Sequence, residues 1–131
     1  MKKSITTLGL LLLLSFSAKA QNGSFVGNNA LTNSMLVASN GGWNTKVYSI
    51  TGVNTSNAPV YIMLFETNGA PVTGTVPRHC WPVAANTAYS LPIPQVGWRF
   101  SNLYVVASTN AATFSLAAGL VTMQAYTAVS P

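Results

Sequence analysis

The side chains able to do chemistry in this sequence are few enough to name one by one. Glu66 is its one carboxylate side chain, His79 its one imidazole and Cys80 its one thiol, and aspartate is absent. A glycosidase working with paired carboxylates needs two acids, and a Ser-His-Asp triad needs an acid to orient the histidine. Zinc asks for three or four ligands, for which Glu66, His79 and Cys80 make a poor set. Aspartate-rich calcium loops and phosphate-cradling glycine motifs are also missing. The expectation is no enzymatic activity, no metal and no cofactor.

His79 and Cys80 are neighbours, which invites a thiol–imidazole reading. Successive residues of a strand leave opposite faces, so the two should not meet. His79 is expected at the surface. Cys80, beside Trp81, Pro82 and Val83, is expected to be a buried thiol. A single cysteine makes no intramolecular disulfide; a bridge to another chain is the alternative.

Aromatic rings are the remaining resource. Trp43, Trp81 and Trp98 fall near turns or strand ends, and Tyr48, Tyr61, Tyr89, Tyr104 and Tyr126 fall within strand-like runs. Indole and phenol rings stack on sugars or anchor protein interfaces when exposed, and fill cores when not. Trp43, Trp81, Trp98 and Tyr61 are the candidate ligand- or interface-binding residues. Trp43, between Gly42 and Asn44, is expected to be exposed. The competing reading has Trp81 and Trp98 plug the two ends of a core. Asn22-Gly23-Ser24 and Asn54-Thr55-Ser56 match the glycosylation sequon and are read as chance.

The elements that must position these residues are strands. After residue 20 no segment keeps a helical period; short runs rich in β-branched and aromatic residues alternate with Asn, Gly and Pro clusters. The runs are 31–39, 45–53, 59–66, 72–75, 80–83, 88–92, 99–108, 113–117 and 120–127. Turn chemistry sits at Asn40-Gly41-Gly42, Asn54-Thr55-Ser56-Asn57, Asn68-Gly69-Ala70-Pro71 and Gly119. Val121, Met123 and Ala125 alternate with Thr122, Gln124 and Tyr126, the pattern of a half-buried antiparallel strand. Val60-Tyr61-Ile62-Met63-Leu64-Phe65 is apolar on both faces and belongs inside a sandwich or under a neighbouring subunit. Pro77, Pro82, Pro92 and Pro94 confine the middle of the chain to edges or strand ends. The fold class is all-β, an antiparallel β-sandwich of jelly-roll type with about eight short strands. A membrane barrel would need longer alternating strands.

Residues 1–20 stand apart. Lys2 and Lys3, the apolar run from Leu8 to Leu14, and Ala18-Lys19-Ala20 have the layout of a secretory signal peptide. The apolar run is about half of the roughly 20 residues that span a bilayer. Cleavage after Ala20 would leave residues 21–131 as one domain, exported to the periplasm, cell surface or medium. Ala20-Gln21-Asn22 resembles the cleavage region of exported Bacteroidota proteins. Lys2, Lys3 and Lys19 leave with the leader, so Lys46, Arg78 and Arg99 face Glu66 alone. Three scattered cations do not neutralise a run of phosphates, and nucleic acid is not expected as a partner. Charged residues are only 5 % of the chain, against about 25 % usually. The repulsion that keeps proteins apart is correspondingly weak, and a homo-oligomer is expected.

The run from Leu36 to Ala117 also carries a resemblance. Lys46-Val47-Tyr48-Ser49-Ile50-Thr51-Gly52-Val53-Asn54-Thr55 enters a polar turn. Ala58-Pro59-Val60-Tyr61-Ile62-Met63-Leu64-Phe65 and Ala70-Pro71-Val72-Thr73-Gly74-Thr75-Val76-Pro77 follow. Gly97-Trp98-Arg99-Phe100 then leads into Leu103-Tyr104-Val105-Val106-Ala107-Ser108-Thr109. In order and spacing these pieces resemble small β-sandwich domains of bacteriophage virion proteins and phage-derived sequences. The resemblance implies a structural or attachment part of an assembly, often oligomeric and without catalysis. A secreted, self-associating structural or adhesive protein is the expected function. A carbohydrate-binding module using exposed Trp and Tyr residues, with a glycan or cell-surface ligand, is the alternative.

Overall fold

The structure, a computed structural model, describes residues 23–28, 34–39, 45–117 and 121–129. Nine strands run through them: β1 Gly23–Asn28, β2 Met35–Ser39, β3 Thr45–Asn54, β4 Val60–Phe65, β5 His79–Val83, β6 Thr87–Ser90, β7 Trp98–Phe100, β8 Asn102–Ser108 and β9 Val121–Val129. One antiparallel sheet has the order β1-β9-β3-β6, with β7 also paired to β3; the other has the order β2-β8-β4-β5. First strand pairs with last, second with second-last, and successive pairs alternate between the sheets. That is the jelly roll, and the expected all-β sandwich is the fold observed.

There are nine strands rather than eight because one lane is shared. β7 lies against Thr45, Lys46 and Val47, and β6 against Thr51 to Asn54 of the same β3. Pro92 and Pro94 fall between them, where no ladder donor is needed. The run expected over 99–108 is likewise two strands. It breaks at Ser101, where the chain leaves the sheet holding β7 for the one holding β8. β1 was not foreseen at all.

The core lies between the sheets. Val60, Ile62 and Leu64 of β4 meet Leu103, Val105 and Ala107 of β8, together with Val47, Ile50, Val121, Met123 and Ala125 from the opposite sheet. Burying each large apolar side chain contributes about 1.5–3 kcal/mol. Val47 and Ile50 both point inward although three residues apart, because the β3–β9 register shifts between Val47 and Ser49. The extra residue at this bulge restores the facing.

The outer face of β4 is covered by the chain itself. Met63 and Phe65 join Val106 and Phe114, with Tyr61, Cys80 and Tyr104 around them. Phe114 sits 6.1 Å from Phe65, ring edge to ring face. Its loop is held by the Phe114 N–H on the Thr75 carbonyl and the Gly74 N–H on the Phe114 carbonyl, both at 2.9 Å. The strands expected over 72–75 and 113–117 are therefore loops that bond one another across the sheet. Leu116 forms only an isolated bridge to Ser108.

Asn54 ties the two sheets at one end. Its amide donates to the carbonyls of Ala58 and Ala84, each at 2.9 Å, and its Oδ1 accepts from the N–H and hydroxyl of Ser56. The residue is fully buried, at 0 % exposure. Asn54, the asparagine of the Asn54-Thr55-Ser56 sequon, thus has its amide committed inside the fold.

Candidate functional site

β5 is an edge strand, and β7 runs along the facing edge of the opposite sheet. His79 and Trp81, two residues apart on β5, share one face, and that face turns toward β7. The His79 ring stacks at 4.9 Å from Trp98 and 5.4 Å from Trp81, and the two indoles lie 5.7 Å apart. All three planes are within 27° of parallel. Trp81 and Trp98 are half-buried and pack their inner sides on the core. They close one side of the sandwich together; they do not plug two separate ends.

The turn that delivers Trp98 needs its glycine. Gly97 has φ +71°, and a Cβ there would stand 3.1 Å from the Tyr48 ring. Its N–H bonds the Pro94 carbonyl at 2.8 Å. A residue with a side chain would be strained and crowded at once.

Nearly every charge of residues 21–131 gathers around this stack. Arg78, just before His79, pairs with Glu66 at the end of β4 and lies 5.9 Å over the Phe100 ring. Glu66 also accepts from the N–H and hydroxyl of Ser101, so the single carboxylate holds the β4, β5 and β7–β8 joints together. Lys46 and Arg99 are direct partners across β3 and β7, placing two cations on the outer face of their sheet. Arg78, His79, Gly97, Trp98, Arg99 and Phe100 line an open concavity of about 300 Å³. A second, of about 420 Å³, lies on the other side of Arg78 against Glu66, Thr67 and residues 75–77.

His79 is half-buried rather than a free surface residue. Desolvation, with the neighbouring Arg78 guanidinium adding to it, holds its pKa below the ordinary 6.5. Cys80 leaves the opposite face of β5 and joins the Met63 and Phe65 cluster, so imidazole and thiol do not meet. It too is half-buried, and burial pushes the thiol pKa up, which lowers its reactive thiolate fraction. Among the described residues no three His, Cys or Glu side chains converge on one point.

Of the four residues expected at a binding surface, two come together. Trp81 and Trp98 share the stack, whereas Tyr61 lies on the outer face of β4 beside Met63 and Phe65. Trp43 falls outside the described residues. Lys46, Arg78, His79 and Arg99 were not expected there. The available signal was the His79-x-Trp81 spacing on a strand, together with the scarcity of charge, which makes any charge cluster informative.

No protein-family model, curated protein or solved structure matches the chain.

Proposed function

We propose that the chain is an exported, non-catalytic structural or adhesive protein that associates with further copies of itself, as the likeness to phage virion domains implies. The observation that carries this reading is the state of the sheet edges. Natural edge strands are blunted by proline, charge or bulges. β5 has Pro82, Pro92 and Pro94 separate β6 from β7, and β2 has a register shift between Leu36 and Ala38. β1 has none of these. Its six residues pair with β9 in unbroken register, it bears no charge, and Phe25 is 76 % exposed.

Beside β1 runs a band of rings. Phe25 lies 4.9 Å from Tyr126, and Tyr126 lies 6.1 Å from Tyr48. A second copy approaching edge to edge meets apolar surface and no like charge. Light scattering on residues 21–131 tests the proposal. Phe25→Lys should shift an oligomer toward monomer while leaving the β-sheet circular dichroism unchanged. A wild-type protein that stays monomeric as concentration rises refutes it.

A carbohydrate-binding role is the second reading, favoured by the Trp98 ring lining the 300 Å³ concavity. A glycan array comparing wild type with Trp98→Ala tests it; equal signals refute it.

A further inference from the structure

We propose that the edge formed by Trp98 and Arg99 binds an acidic polysaccharide, one bearing carboxylate or sulfate groups on its sugar rings. The proposal rests on the carbohydrate reading and names its ligand class. Its first support is a charge imbalance. Like charges placed directly opposite on neighbouring strands are destabilising, yet Lys46 and Arg99 face one another across β3 and β7. The only carboxylate side chain of the chain is Glu66, already committed to Arg78 and Ser101. The Lys46–Arg99 pair therefore has no side-chain carboxylate to neutralise it. An acidic group brought by a ligand supplies the missing charge, and a guanidinium can grip it through two parallel hydrogen bonds.

The second support is the concavity that Arg99 borders together with Arg78. β7 is an edge strand, so the concavity along it is bordered by both Trp98 and Arg99. Trp98, a half-buried indole held by stacking on His79 and Trp81, lines the concavity and offers apolar surface to the C–H side of a sugar ring. At about 300 Å³ the concavity is at the small end of ligand sites, the scale of a ring with its substituent. It is open along the edge, so a polymer can run past it.

A single-stranded nucleic acid also combines stacking with cations, but it draws on a positive groove several nucleotides long. Here the cations end with Lys46, Arg78 and Arg99, the only lysines and arginines after residue 20. One acidic group every ring or two suits that sparse supply better than an unbroken run of phosphates.

The test is a binding titration of residues 21–131 at about 150 mM salt against polygalacturonate, chondroitin sulfate, neutral dextran and oligo-dT. Wild type should bind at least one of the two acidic polysaccharides and should bind dextran and oligo-dT at least about tenfold more weakly. The double variant Lys46→Gln/Arg99→Gln should lose about tenfold or more of the acidic-polysaccharide affinity, the scale of a charge-assisted hydrogen bond. Its melting temperature without ligand should be no lower than wild type, because a repulsive pair has been removed. Dextran bound as well as the acidic polymers overturns the acidic class and leaves the carbohydrate reading standing. No binding to any polysaccharide overturns both. Oligo-dT bound equally well, or a double variant with unchanged affinity, overturns the proposal.

Discussion

Replacing Asn54 with alanine removes four short hydrogen bonds from the junction between the sheets. Ser56 loses the acceptor for its buried N–H and the Ala84 carbonyl loses the Asn54 amide, while the Ala58 carbonyl loses that amide but keeps the Ser56 hydroxyl. Leaving one buried polar group unsatisfied costs about 1–3 kcal/mol, and each partly buried bond contributes about 0.5–1.5 kcal/mol more. Water can reach the two carbonyls, so the lower half of that range applies to them. The expected loss is about 2–4 kcal/mol, a large share of the 5–15 kcal/mol typical of a whole domain. Urea denaturation followed by tryptophan fluorescence should show a lower midpoint with an unchanged slope. A loss below about 0.5 kcal/mol for Asn54→Ala would refute the view that this amide joins the sheets.

Other consequences can be measured in the same way. His79 is held below its ordinary pKa by desolvation and Arg78, so below pH 6.5 the unfolded chain takes up the proton before the folded one does. Stability should fall as pH drops through that window, levelling once the folded imidazole is also protonated. His79→Phe, which keeps a ring in the stack, should flatten this dependence in a series of melts from pH 7 to 5. Gly52→Ala would drive a methyl group into the Thr122 carbonyl and the Tyr89 ring and should cost about 1–3 kcal/mol, read from the urea midpoint. Phe114→Ala should cost about 3–5 kcal/mol and raise binding of a hydrophobic dye, because it uncovers Met63 and Phe65.

Where the sequence reading succeeded, a local pattern carried the information. The period of two in β9 and the prolines at edges are read from a few consecutive residues. The doubly apolar β4 announced an inner strand of its sheet, but composition could not say what would cover its outer face. The cover is Phe114, about fifty residues away in sequence. β1 escaped because Gly23, Gly27 and Asn28 are poor strand formers, and pairing with β9 overrides that weak preference. Residues 72–75 and 113–117 misled in the opposite direction. Their Val, Thr and Phe content suits a strand, yet they meet through only two backbone bonds at Phe114, and residues 115–117 otherwise bond the end of β8. At the site, each tryptophan was visible as a candidate. Their meeting was not, because Trp81 and Trp98 come from different sheets and only the strand order brings their edges together.

The pairing of β1 with β9 also sets the order of events when the chain is made. Phe25 is the register partner of Tyr126, and Met35 of Val105, so these pairs join strands far apart in the sequence. Contacts so far apart in sequence make folding slow, in the millisecond-to-second range for β-sandwiches. The jelly roll cannot close until its last strand has emerged, and until then β1 has no partner to hold it. The sheet of β1, β9, β3 and β6 is therefore completed last, and substitutions that weaken β9 should slow folding more than those in β4 or β5.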